Sequence, residues 1–213
     1  MKTEALLPYI LPDVPGAPDV TIKQALLLST IEFCVLTHAW DEIQDQIALE
    51  DNVNSYDVDV LQGSRVVAVK NMWTESRELR PVTMSELQQL IPNWQVATGS
   101  IPSYYNAPDD QGAFRIYPIP LASDGLQLTL RVAYAPTLAA TTVPDSVVNR
   151  YLEPILSGAK HRLMVAPGKG WSNDKLAAYH QGKFDEGVLR AKIDVLHDKA
   201  QGTIKVKPVR FGF

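Results

Sequence analysis

Few residues in this chain of 213 have types and spacings that could do chemistry. Cys34 and His38 lie one helical turn apart, so a thiolate–imidazolium pair for nucleophilic catalysis is geometrically possible. Cys34 stands in a nearly all-apolar run, however, where a thiol packs as a small hydrophobe. Asp57 and Asp59 would face the same side of a strand and could bind a cation or share a proton; a solvated strand face explains them equally. The histidines His38, His161, His180 and His197 show neither His-x-x-x-His nor His-Glu-x-x-His spacing, and a metal site would need the fold to gather them. The Gly168-Lys169 pair lacks the flanking residues of a phosphate loop, since Leu163 and Gly170 occupy the positions of its first glycine and its Ser or Thr. No Gly-x-Ser-x-Gly elbow is present. A small metal-dependent hydrolase using His161, His180 or the Asp57/Asp59 pair therefore stands only as an alternative. No catalytic, cofactor or metal residue is assigned, and no cofactor is expected.

The elements that would hold these residues follow from periodicity. Pro8, Pro12, Pro15 and Pro18 with Gly16 predict an extended N-terminal arm. Asp19 or Thr21 is then expected to cap a helix whose apolar stripe runs Ile22, Leu26, Ser29, Phe33, Leu36 and Trp40, with Leu27, Leu28, Ile31 and Val35 on a second face. A helix apolar on so many sides belongs at the centre of its domain. From Asp41 onward, short segments broken by turn residues read as strands at residues 55–61, 65–73, 113–117 and 126–134. In the last, Leu126, Leu128, Leu130, Val132 and Tyr134 alternate with smaller or polar residues, the pattern of a half-buried antiparallel strand. Asp124-Gly125 predicts a hairpin over residues 113–134. Thr83 and Glu86 form a capping-box pattern ahead of Leu87, Leu90 and Ile91, and Pro92 ends that short helix.

Helical spacing returns at Pro144-Asp145, where Val148, Leu152, Ile155, Ala159 and Leu163 share a stripe; Pro154 inside it predicts a kink or restart. Ser172 is expected to cap a last helix, with Ala177, His180, Phe184, Val188, Ala191 and Val195 on one face, running toward Ala200 and stopped by Gly202. Gly182 and Gly187 weaken it unless another backbone packs closely there. The order of helix, strand block and two helices predicts an α+β fold: a helical bundle of residues 20–40 and 144–201, an inserted antiparallel, sandwich-like β-rich domain over 41–143, and extended arms at 1–19 and 202–213.

With 46% hydrophobic and 21% charged residues the chain is globular, not disordered. Its formal charge of −4 argues against a general nucleic-acid binder or a membrane-surface protein. The charge is polarised, with 12 Lys/Arg against 6 Asp/Glu from Arg150 onward, which leaves 8 against 18 before it. Such an asymmetry can steer how the chain meets a neighbour. One cysteine excludes an internal disulfide and fits a reducing compartment. Residues 1–11 lack the apolar core of a secretory signal. The most apolar stretch, 25–36, is about one-third too short for a bilayer and contains Glu32, so a soluble protein without a membrane partner is expected. In the final eleven residues Lys205, Lys207 and Arg210 interleave with Ile204, Val206, Val209, Phe211 and Phe213, a tail that either frays or awaits a partner strand.

Two blocks of residues resemble phage head-to-tail adaptor proteins, also called tail tubular or neck proteins. The first is Ser103-Tyr104-Tyr105, Phe114-Arg115-Ile116-Tyr117-Pro118-Ile119-Pro120 and residues 126–134 with Ala135-Pro136. The second is Val143-Pro144-Asp145, Ile155-Leu156-Ser157-Gly158-Ala159, Pro167-Gly168-Lys169-Gly170-Trp171-Ser172, and Leu176-Ala177-Ala178-Tyr179-His180 with Phe184, Gly187 and Ala191. The likeness covers about residues 100–195 and, in type and position, the N-terminal helix. These are packing and turn residues and say nothing of catalysis.

The resemblance implies a non-enzymatic virion protein of the neck, assembled in the host bacterial cytoplasm. It would form a homo-oligomeric ring, usually of twelve copies, that docks under the portal protein and links the DNA-filled capsid to tail or nozzle proteins. Packaged DNA would pass through the lumen without sequence-specific binding. Ile204, Lys205, Val206, Lys207, Arg210, Phe211 and Phe213 are the residues expected to anchor the tail to the portal or to a neighbouring subunit. A tail-side completion or terminator protein is the alternative within the same class, and a DNA-binding module using the basic C-terminal third would reveal itself by strongly salt-dependent binding to duplex DNA.

Overall fold

A computed structural model describes residues 1–75, 77–108, 112–121 and 125–198. Its organising helix is α1, Asp19–Thr37, which buries Ile22, Leu26, Phe33 and Cys34 completely. Around it pack α3 (Asp145–Arg150), α4 (Leu152–Met164) and α5 (Asp174–Leu196), whose buried faces form one continuous apolar core with α1. At 19 residues and a mean hydropathy of 1.4, α1 meets the length and composition of a membrane span, longer than the apolar run read from sequence. It instead lies against the other helices and one strand, as a core helix apolar on several sides must.

The strand block contains β1 (Asp41–Ile43), β2 (Ile47–Ala48), β3 (Ser55–Asp57), β4 (Ser64–Thr74), β5 (Arg80–Pro81), β6 (Thr98–Gly99), β7 (Tyr104–Tyr105), β8 (Ala113–Tyr117), β9 (Ile119–Pro120) and β10 (Gln127–Pro136), with the short helix α2 (Met84–Leu90) between β5 and β6. β10 is central to the first sheet: β4 lies antiparallel along one side and β1 and β2 along the other. A second sheet orders β3-β8-β7-β5, antiparallel except for the β5/β7 pair, and β6 and β9 form a short parallel pair. Leu128, Leu130, Val132 and Tyr134 of β10 share a core with Phe114 and Ile116 of β8, so the two sheets enclose one layer of side chains. Ala135, further along β10, belongs to the helical core, and Trp40 packs against both cores. β10 thus joins the two halves of the molecule.

Five local expectations need correction. The hairpin over 113–134 does not form: β8 pairs with β3 and β7, and β10 lies in the other sheet. Pro118 and Pro120 remove donors that a hairpin ladder would need, and β9 pairs with β6 instead. Asp124 of the expected turn lies outside the described residues. The segment before α1 is not an extended arm. Residues Thr3–Tyr9 form a 3-10 helix, and Leu6, Ile10, Val14 and Ala17 are buried against the bundle. Burying each of the larger side chains stabilises the docked form by about 1.5–3 kcal/mol, which outweighs the prolines' preference for open backbone. Pro18, not Asp19 or Thr21, occupies the N-cap of α1, with no side-chain cap. Asn173, not Ser172, caps α5 by accepting from the Leu176 N–H, while the Ser172 hydroxyl donates to the Met164 carbonyl. α5 ends at Leu196, and Asp198 adopts a left-handed φ of 52° before the described chain ends.

Other local signals are realised as read. The Thr83/Glu86 capping box is complete in both directions. The helix stripe from Val148 restarts at Tyr151, which leaves Pro154 in the first turn of α4, where its missing N–H has no helical partner to lose.

Candidate interaction surfaces

The residues that could have done chemistry are held apart or used structurally. Burial pushes the Cys34 thiol up to about 12. Burial, reinforced by the charges of Lys70 and Lys192, holds His38 below its ordinary value. One group thus resists losing its proton and the other resists gaining one, the reverse of an ion-paired nucleophile. His38 serves instead as the left-handed C-cap of α1, its backbone N–H donating to the Cys34 carbonyl at 2.9 Å. Only Asp57 of the Asp57/Asp59 pair lies in β3. The Asp59 carbonyl accepts from the Tyr134 hydroxyl at 2.9 Å and from the Gln44 amide at 2.6 Å, fixing the turn after β3 against β10.

His161 donates from Nδ1 to the Ala177 carbonyl at 3.0 Å, so it ties α4 to the start of α5. His180 is held below its ordinary value, first by burial and then by Lys160, and its Nδ1 is buried without a hydrogen-bond partner among the described residues. No group of three or more His, Cys, Asp or Glu that could hold a metal ion occurs among the described residues. A groove of about 690 Å³ lies between α3, α4 and α5 and is lined by Arg150, Lys160, Lys183 and Arg190. These cations face local acids: Lys160 pairs with Asp13 at 2.5 Å, Arg190 and Lys183 with Glu186 at 2.5 and 3.3 Å, and Arg150 with Asp194 at 3.8 Å. Such a lining holds helices in register and leaves little unpaired positive charge for an anion.

What remains are packing contacts and surfaces. Gly158 of α4 sits where α1 and α5 cross it: an added Cβ would lie 2.7 Å from the Phe184 ring and collide with the Ser29 hydroxyl. Gly187 of α5 similarly faces Pro154, whose Cγ would be 2.8 Å from an added Cβ. The Gly-Ala centre of α4 and the glycine of α5 are thus the close-approach points of one three-helix bundle.

A family profile described as SU10 adaptor protein matches residues 3–207, nearly the whole chain and both halves of this architecture. The chain belongs to the SU10 adaptor protein family. No curated protein matches it. As a member of a phage adaptor family this adaptor is a structural component of the virion neck that interacts with portal and tail components, and the sequence resemblance to head-to-tail adaptors is thereby established.

Two surface features of the adaptor bear on that role. On α5 the inward stripe Phe184, Val188, Ala191 and Val195 is mirrored by an outward one, Leu189, Ile193 and Leu196, 54–81% exposed. Reading the sequence missed this second stripe, although its own steps of four and three were visible beside the first. At the end of α5, Asp198 pairs with Arg131 of β10 at 2.5 Å, and Arg131 and Lys70 both pair with the buried Asp41 of β1 at 2.6 and 3.0 Å. This network ties Asp198, just past the end of α5, to β10, β4 and β1 of the first sheet. The expected anchor residues Ile204, Lys205, Val206, Lys207, Arg210, Phe211 and Phe213 lie outside the described residues.

Proposed function

We propose that this adaptor forms a homo-oligomeric ring, of about twelve copies by the usual symmetry of such rings, that docks beneath the portal and carries the tail, with packaged DNA passing through its lumen. The observation that carries the reading is the family match across residues 3–207, which spans both the helical bundle and the strand block. A three-helix bundle continuous with a two-sheet block through β10 gives a stiff wall element, and the exposed apolar stripe on α5 supports burial against another chain. The protein acts as a structural part and not as an enzyme.

In this reading the C-terminal anchor of Ile204, Val206, Phe211 and Phe213 engages the portal or an adjacent subunit through its apolar side chains, with Lys205, Lys207 and Arg210 meeting acidic surface. Removal of residues 203–213 tests this. The shortened protein should unfold at the same temperature as the full chain yet lose co-migration with the portal ring of its phage. Undiminished co-migration would assign portal docking to the folded body.

A further inference from the structure

Two exposed apolar faces lie on opposite sides of the helical bundle. The first is the outward stripe of α5, Leu189, Ile193 and Leu196. At about 100° per residue these three stand roughly 120–180° around α5 from Phe184, whose ring meets Phe33 of α1 at 6.2 Å. The second is a groove of about 590 Å³ between the N-terminal 3-10 helix, the start of α1 and the loop after β10. Val20 and Leu138 in its lining are each 75% exposed, and Leu27 lies behind them. Val20, Gln24 and Leu27 stand roughly 120–180° around α1 from Ser29 and Phe33, which face α4 and α5. The Phe33/Phe184 contact therefore lies between the two faces, and they look away from each other.

The groove is held in shape by the subunit itself. Lys2 and Thr142 form an antiparallel bridge, the Val143 N–H donates to the Met1 carbonyl at 2.8 Å, and the Thr137 N–H donates to the Gly63 carbonyl at 2.9 Å. Lys23 of α1 pairs with Glu4 at 2.7 Å and ties the helix to the N-terminal wall. Apolar side chains fixed open to solvent in this way mark a surface for another chain. The charges around the two faces are complementary. Beside the stripe, Arg190 pairs with Glu186 and the charge of Lys192 acts on His38 of its own chain. Asp185, one turn before Leu189, accepts from the neutral Gln181 amide and has no ion pair among the described residues. At the groove, Lys23 is taken up by Glu4, while Lys2 has no ion pair among the described residues. A free acid borders one face and a free cation the other.

A closed ring is built from heterologous contacts, one face of each copy meeting a different face of the next. With about twelve copies, successive subunits turn by only about 30°, so the two faces must point in nearly opposite directions. The stripe and the groove meet that condition, one a ridge and the other a hollow. We propose that α5 closes the ring: Leu189, Ile193 and Leu196 of each subunit seat in the groove of the next copy against Val20 and Leu138, and Asp185 meets Lys2. This rests on the ring reading above and names the two surfaces that make the ring. The occupant of the groove is a second copy of this chain, and the same contact repeats around the circle.

Cysteine pairs in the full-length protein, assembled on the portal ring of its phage, test it. Each double variant joins Leu189→Cys or Ile193→Cys with Val20→Cys or Leu138→Cys; the native Cys34 is buried and stays out of reach. Under mild oxidation at least one of the four combinations should link successive copies into a ladder longer than the dimer on a denaturing gel, and the single variants should give no ladder. Portals that gain a full ring of subunits yet show no ladder for any combination overturn the proposal and leave the ring reading standing. A portal that gains no subunits overturns both. Dimers linked through Leu189→Cys or Ile193→Cys alone, without a ladder, would set α5 against α5 of another copy and also overturn it. Independently, Ile193→Asp and Leu138→Asp should each leave the unfolding temperature of the free subunit unchanged and lower the subunits gained by the portal at least about tenfold. Full ring formation by either variant contradicts the proposal.

Discussion

Replacing Gly158 by alanine should destabilise the bundle even though alanine is the better helix former. In an open helix interior the exchange is worth about 1 kcal/mol in favour of alanine. Here the new methyl would sit 2.7 and 2.9 Å from two carbons of the Phe184 ring and overlap the Ser29 hydroxyl. Phe184 is only 2% exposed and its ring packs edge-on against Phe33 at 6.2 Å, so it cannot swing to solvent. The Ser29 hydroxyl donates to the Ile155 carbonyl at 2.8 Å and would be displaced from that bond. Losing the bond costs about 1 kcal/mol, and forcing a methyl into a filled core costs about 1–3 kcal/mol. Set against the propensity gain, the net loss is about 1–3 kcal/mol, a fall in Tm of roughly 2–12 °C for a chain of this size. Gly182 of α5 supplies the contrast, since an added Cβ there meets nothing within 4 Å. Gly182→Ala should therefore stabilise the free protein by about 0.5–1 kcal/mol. Thermal unfolding by circular dichroism reads both. A rise in Tm for Gly158→Ala, or shifts of the same sign in the two variants, would refute the close three-helix crossing.

Further consequences follow from the same contacts. Asp41→Ala leaves the Lys70 and Arg131 charges facing each other beside a buried strand end, and urea unfolding should show a loss of about 3 kcal/mol. His38 and His180 are both held below their unfolded values by burial, so the unfolded chain binds more protons; stability is full above about pH 6.5 and falls as the pH drops through the folded values. The combined variant His38→Asn and His180→Gln should flatten that acid slope between about pH 7 and pH 5, and an unchanged slope would place the titrating groups elsewhere. Cys34, with its thiol pushed up to about 12, should resist iodoacetamide at pH 8 in the native protein and react readily in denaturant.

Helices and the long strand were legible in the sequence because their signals are local. The stripe Val148, Leu152, Ile155, Ala159 and Leu163 needs only its own spacing, as does the alternation of Leu126, Leu128, Leu130, Val132 and Tyr134, and all of these side chains are buried except Leu152 and Leu126, which are half-buried. The capping box of α2 likewise lies within four consecutive residues. The hairpin failed because strand pairing is not local: nothing near β8 says that β3, more than fifty positions earlier, will take its edge. The N-terminal segment was misjudged because four prolines drew attention from Leu6, Ile10, Val14 and Ala17, which recur at steps of four and three between them. The residues whose types and spacing raised chemistry have local structural contacts that the sequence does not reveal: Cys34 is buried, His38 ends α1 in a left-handed turn, and His161 donates to the Ala177 carbonyl. The outward stripe on α5 was not read because a helix apolar on two sides does not reveal which side its neighbours will cover.

The central claim, that this adaptor assembles as a ring on the portal, is tested most directly by single-particle mass measurement of the protein alone and after mixing with the portal ring of the same phage. The account predicts that the portal gains a full ring of subunits, about twelve copies, in one discrete step. An intact portal whose mass does not change would contradict it and would place the adaptor on the tail side of the neck.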